Sequence, residues 1–172
     1  MLDFSKINKP NLLYSLVLSH VRYVHNVLYY RKYKVLHKER IPKDEGSLVI
    51  CNHQNGLNDA LALLMMGAKN HMVFIARGDL FKKDFLGKMM RFLRILPAFR
   101  VRDAGTEGLK DNDLIFEESS RIISEGDNVI IFPEATHQHG HYLNVFKKGF
   151  ARIAFRTAEK AGFEKDIKIL PV

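Results

Sequence analysis

Tryptophan is absent, cysteine occurs once and proline only five times in 172 residues. The single Cys51 cannot form an internal bridge, which excludes a disulfide scaffold and suits a reducing compartment. With no internal repeat and no low-complexity tract, collagen-like and disordered chains are excluded as well. A membrane span needs about 20 mostly apolar residues. The richest stretch, 10–30, is broken by His20, Arg22, His25 and Asn26. A secretory signal is also missing: Met1-Leu2-Asp3 has no basic opening, and no small-residue cleavage site comes after an apolar run. Acidic residues are in deficit, 19 against 27 Lys and Arg, so the net charge is +8. Such a surplus points to an anionic partner: nucleic acid, a phosphate-bearing molecule or acidic lipid. The basic residues are dispersed and match no nucleic-acid motif, so nucleic acid is not an expected partner.

The residues present describe one domain with an arm. At 47% hydrophobic residues the chain can bury a core. In the arm, residues 1–32, Leu13, Leu16, Val17, Val24, Val27 and Leu28 fall at helical spacing. Arg31, Lys32 and Lys34 come directly after. An amphipathic helix lying in a bilayer interface beside anionic head groups fits this pattern, as does an ordinary helix packed on a domain. Beyond it, residues 33–172 alternate short apolar runs with helical stretches. Strands are expected at Ser47–Cys51, Met72–Ala76, Pro97–Val101, Asn128–Phe132 and Ile167–Val172, with an outer strand at Tyr33–His37. Helices are expected at Leu57–Met66, Asp84–Arg94, Asp113–Ser124 and Phe150–Lys160. Continuous apolar strands alternating with helices predict an α/β fold, a mostly parallel central sheet flanked by helices. The chain stops inside its last expected strand, which suggests the N-terminal part of a longer protein.

Three constellations sit where strands end, the place where open α/β sheets collect ligands. The first is Cys51-Asn52-His53-Gln54-Asn55-Gly56-Leu57-Asn58-Asp59. Asp59 can accept a ring N–H of His53, fix the tautomer and stabilise the imidazolium, leaving the other nitrogen to act as a base. No serine nucleophile lies nearby, so the proton removed would come from a substrate hydroxyl. A competing Cys51/His53 reading exists, because residues i and i+2 of a strand share a face. The second constellation is Phe132-Pro133-Glu134-Ala135-Thr136-His137, and the third is Leu96-Pro97-Ala98-Phe99-Arg100-Val101-Arg102. Arginine forks pair well with phosphate oxygens, and Arg100 and Arg102 share a face if the strand is regular. Alternating His137, His139 and His141 also allow a metal reading, although no metal is expected.

In order, NHQNGLND, LPAFR, FPEAT with FKKG (Phe146–Gly149), and KILPV resemble the four blocks of the glycerolipid acyltransferase superfamily, which includes glycerol-3-phosphate and 1-acylglycerol-3-phosphate acyltransferases. The blocks run from Asn52 to Val172. The resemblance implies acyl transfer from acyl-CoA or acyl-carrier protein to the hydroxyl of a phosphate-bearing glycerolipid, with no bound cofactor. It makes His53 the general base and Asp59 its orienting partner, with direct attack on the thioester. Arg100, with Arg102 next in line, would clamp the acceptor phosphate. Pro133, Glu134 and Thr136 would position the glycerol end. An anionic membrane surface is the implied third partner, and the cytoplasmic side of a membrane the implied location, peripheral or monotopic. A non-catalytic lipid- or phosphate-binding module on the same fold is the alternative.

The chain departs from the family pattern at two places. The family's first block usually spaces His and Asp by four residues; here five intervene, and Asn58 stands at the usual Asp position. Asp59 is the expected partner, because a carboxylate stabilises an imidazolium and an amide does not. The usual Gly-Thr-Arg after Pro-Glu is replaced by Ala135-Thr136-His137.

Overall fold

The computed structural model describes residues 3–66, 71–99, 107–134 and 143–172. Five strands, β1 (Ser47–Ile50), β2 (Met72–Arg77), β3 (Ile95–Ala98), β4 (Asn128–Ile131) and β5 (Lys168–Pro171), form one sheet in the order β3-β2-β4-β1-β5. All four neighbouring pairs are parallel. The helices are α1 (Leu12–Tyr23), α2 (Asn58–Met65), α3 (Asp84–Phe92), α4 (Glu107–Ser124) and α5 (Gly149–Lys160). A π-helical stretch, Val24–Tyr29, continues α1.

Successive strand residues point to opposite faces, and here both faces are covered. Leu48, Val73, Ile75 and Val129 pack with Ile115, Ile122 and Ile123 of α4 and Ile153 of α5. The alternate residues Val49, Phe74 and Ile130 pack with Leu63 of α2 and with Met66. Two-sided burial explains why the strands read as unbroken apolar runs. Phe4 and Ile7, ahead of α1, also belong to the α4/α5 face.

Three expectations are corrected. Tyr33–His37 is not a strand. Its alternate apolar residues are used differently: Val35 packs against the α2-side core, and the Tyr33 hydroxyl donates to the Ala62 carbonyl at 2.6 Å. The third strand runs Ile95–Ala98 rather than from Pro97, since Ile95 and Leu96 pair in register with Phe74 and Ile75. Helix α4 also starts six residues before the expected Asp113.

Helix α1 rests on the domain through a buried tyrosine. Tyr14 is buried against Phe92 and under the Arg94 guanidinium, which lies 4.1 Å from the ring centre. Leu12, Leu13 and Leu16 face outward, as do Val27, Leu28 and Tyr29 in the π-helical stretch. Among the described residues, no helix is long and apolar enough to cross a membrane.

Candidate active site

The centre of the sheet places the first and second constellations side by side. Ile50 of β1 pairs with Ile131 of β4. His53 and Glu134 each lie three residues beyond that pair. The connection leaving β1 enters α2 on one face, while the one leaving β4 leads to α5 on the other. Neighbouring strands whose exits diverge leave a crevice between their carboxyl ends, the ligand position of open α/β sheets.

His53 Nδ1 lies 3.1 Å from Asp59 Oδ2, so the residue after Asn58 makes the contact. The same carboxylate oxygen accepts the backbone N–H groups of Gln54 and Asn55, at 2.9 and 2.8 Å. Asp59 therefore folds the intervening turn around itself while it holds the imidazole. The extra residue is taken up in that turn, where Asn55 also accepts the Asn58 N–H at 3.3 Å. The His53 ring stacks on Phe132, 3.9 Å between centres and 17° from parallel. With a carboxylate at Nδ1 and an aromatic plane beneath, the ring is fixed in both direction and tilt.

Glu134 is buried and supports the same turn from the β4 side. One oxygen accepts the His53 N–H at 3.2 Å. The other accepts the Asn144 N–H at 3.0 Å and its side-chain Nδ2 at 2.9 Å. Burial pushes its carboxyl upward, but the hydrogen bonds from Asn144 and His53 outweigh it and hold the group below the usual range. The Pro133 carbonyl accepts the Lys147 N–H at 2.8 Å. Pro133 and Glu134 thus anchor the 143–148 segment beside His53. Asn144 and Phe132 are site residues that sequence reasoning misses; Asn144 can be found only through its spatial contact, since nothing in LNVFKKG marks it.

Arg100, Arg102 and Thr136 lie outside the described residues, as do His137, His139 and His141. Among the described residues, no group of three His, Cys, Asp or Glu side chains is placed to hold a metal ion. The Cys51 thiol is pushed up to about 11 by burial and by the charges of Asp59 and Glu134. At neutral pH it stays a thiol, which weighs against a nucleophilic role.

A fixed imidazole–carboxylate pair at the central carboxyl edge of a parallel α/β sheet has the geometry to take a proton from a bound group. A profile of the Acyltransferase family matches residues 32–172, and the chain belongs to that family. It is 26% identical over 103 residues to the 1-acyl-sn-glycerol-3-phosphate acyltransferase of Bacillus subtilis, covering 60% of this chain and 47% of that protein. The enzyme of the same name from Borreliella burgdorferi is 24% identical over 121 residues, 69% of this chain and 44% of that protein. The crystal structure of the 1-acyl-sn-glycerophosphate (LPA) acyltransferase PlsC from Thermotoga maritima matches with a TM-score of 0.60 and 25% identity. That match covers 99% of this chain and 60% of PlsC. The chain spans somewhat under half the length of these curated relatives.

Proposed function

We propose that this chain carries the catalytic centre of a 1-acyl-sn-glycerol-3-phosphate O-acyltransferase, in which His53 is the general base. Residues 33–172 form the acyltransferase domain in this reading, and residues 1–32 its arm. The observation that carries it is the contact between His53 Nδ1 and Asp59 Oδ2 at the crevice between β1 and β4. With Nδ1 committed to the carboxylate, proton removal falls to Nε2. The acceptor hydroxyl loses its proton to Nε2 as its oxygen attacks the thioester carbonyl of acyl-CoA or acyl-carrier protein. Collapse of the tetrahedral intermediate expels the thiolate, which takes the proton back from the imidazolium. Asp59 stabilises the imidazolium between these steps. No acyl-enzyme is required, in keeping with a Cys51 thiol that stays protonated.

Recognition of the acceptor phosphate is assigned to Arg100, with Arg102 as the second candidate, on the family resemblance. Thr136 is assigned to the glycerol end on the same ground, with Pro133 and Glu134 shaping that side of the crevice. The arm's outward Leu12, Leu13, Leu16, Val27 and Leu28, together with the adjoining Arg31, Lys32 and Lys34, suit the surface of an anionic membrane. A lipid acceptor is delivered from such a surface. The cytoplasmic face, where acyl-CoA and carrier protein are found, is the proposed location, and phospholipid synthesis the proposed process.

The direct test is release of free thiol from acyl-CoA, with lysophosphatidate or glycerol-3-phosphate as acceptor. His53→Ala is expected to lower kcat by about a thousandfold or more, within the range of lost acid–base catalysis. Wild-type turnover in that variant would refute the mechanism. Binding of acceptor without any turnover by the native chain would favour a lipid-binding module instead. Arg100→Ala is expected to raise the acceptor KM with kcat nearly unchanged, as for loss of binding at a remote group.

A further inference from the structure

The arm reaches the start of α2 through a side-chain hydrogen bond. At the end of the π-helical stretch that continues α1, the backbone N–H of Tyr30 closes a bond to the His25 carbonyl at 2.9 Å. The wider π turn shifts the angular position of the next residues, relative to a continued α-helix. Tyr30 is the first residue beyond that turn, and its hydroxyl accepts from Asn58 Nδ2 at 2.6 Å. Asn58 is the first residue of α2, and the next residue is Asp59. Four residues along the same helix, the Tyr33 hydroxyl donates to the Ala62 carbonyl. Residues four apart share a helix face, so two tyrosines of one short segment hold one side of α2.

Packing fixes the Tyr30 ring from behind. The His25 ring, buried, lies 4.6 Å from it between centres, and the Tyr29 ring 4.8 Å from it. His25 also meets the Tyr33 ring at 5.6 Å. A phenol held this way is a fixed point rather than a mobile surface group. Its partner Asn58 stands where the family's usual spacing would place the aspartate. The amide there is drawn toward Tyr30, and the carboxylate one residue later takes the imidazole.

We propose that Tyr30 and Asn58 are positioning residues for the His53–Asp59 pair. The tyrosine hydroxyl fixes the start of α2, and through it the carboxylate that holds the base. The arm is then part of the catalytic arrangement as well as a surface contact. This inference rests on the reading of His53 as base, so its test has one readout that needs no turnover.

The test uses the full chain as Tyr30→Phe, Asn58→Ala and the double variant. Tyr30→Phe keeps the ring packing on His25 and removes only the acceptor, so the fold is retained and the melting temperature checks it. Turnover is followed with acyl-CoA and lysophosphatidate, and the His53 imidazole is titrated by NMR. Among the described residues, the carboxylates that meet His53 are Asp59 at its ring and Glu134 at its backbone N–H. A misplaced Asp59 should therefore lower the His53 pKa. Each single variant is expected to lower kcat about fivefold to twentyfold, with acceptor KM unchanged, as for a lost transition-state interaction. The double variant should be no worse than the worse single one, since both remove the same bond. A His53 titration and kcat both unchanged in Tyr30→Phe would overturn the proposal, as would full additivity in the double variant. If the native chain shows no transfer at all, the activity reading fails, and the His53 titration alone then decides the positioning role.

Discussion

The N-terminal edge of the sheet and its C-terminal edge both bury polar side chains, and they use them in opposite ways. At the N-terminal edge polar groups are turned inward to tie strands and helix ends together. Ser47 donates to Asn128 Oδ1 at 2.6 Å, and the His71 N–H donates to Asp127 Oδ1 at 3.0 Å. The buried Asn8 of the arm donates to both Glu125 and Asp127, at 3.0 and 2.8 Å. Arg121 pairs with Glu118 and Glu125, while Lys9 reaches Glu125 from the arm. Arg94, buried at φ 60°, donates to the Lys9 carbonyl. The C-terminal edge instead aims its carboxylates at one histidine. Glu134 holds the His53 backbone and Asp59 its ring, so the same chemistry positions one imidazole. On the proposed function, one parallel sheet would separate stability from activity: strand starts are tied by hydrogen bonds and nearby ion pairs, and strand ends hold the proposed base.

Perturbing one edge should therefore leave the other's readout untouched. Among variants that set one edge against the other, the largest effect is expected from Asp59→Asn, which keeps an oxygen for the turn amides but cannot stabilise an imidazolium. Turnover should fall about a hundredfold, roughly 2.7 kcal/mol in the barrier, with the melting temperature nearly unchanged. A large loss of thermal stability in this variant would break the separation, because Asp59 would then be holding the fold rather than the base. Gly46→Ala tests the opposite edge. A Cβ there would lie 2.6 Å from the Asp127 carbonyl oxygen and would also strike the Ile123 carbonyl. Backbone cannot yield as a side chain can, so a cost of roughly 2 kcal/mol is expected. For a domain of this size that lowers Tm by roughly 4–8 °C, while kcat per folded molecule stays at the native value.

The smallest effect is a pH dependence at the arm's latch. Hydrogen bonds from Asn8, Arg121 and Lys9 hold the Glu125 carboxyl at about 2. Its folded pKa is depressed, so its stabilisation is complete above the ordinary carboxylate range. It is lost as the pH falls from about 4.3 toward the folded value. Hydrogen-exchange protection factors at residues 4–9, taken relative to the intrinsic exchange rate at each pH, should fall over that window before the sheet opens. Glu125→Gln should lower the protection at neutral pH and remove most of its pH dependence. Protection factors independent of pH in the native chain would show that Glu125 does not hold the arm.

Much of this architecture is legible in the sequence because burial on both faces writes itself as continuous apolar runs. Leu48-Val49-Ile50 and Val129-Ile130-Ile131 need no partner to be recognised as strands. Helix α4 shows where that signal fades: its first turns, Glu107 to Asn112, contain Gly108 and polar residues with no apolar period. Tyr33–His37 fails for the complementary reason. Its alternation is real, but packing on a covered face produces the same pattern as strand pairing. The first and second blocks of the site are visible as His53, Asp59 and Glu134 through their place at strand ends and the order of four blocks together, since each pattern alone has ordinary structural uses. The partners that hold them are not. Phe132 reads as the end of a strand, Asn144 as a loop residue and Tyr30 as part of an arm.

By itself, the sequence determined a mostly parallel α/β fold, a basic balance suited to phosphate-bearing partners, and a histidine with a nearby carboxylate. These come from composition, periodicity and residue chemistry, all of which are local. That chemistry already pointed to Asp59 over the amide Asn58; how the five intervening residues bend so that Asp59 reaches the ring was a tertiary decision, made by the fold of the turn. The assembly of His53 with Glu134 was decided by the register of β1 on β4, across 81 residues of chain. Hydrogen-bond partners that distant depend on the sheet order, and no local pattern encodes it.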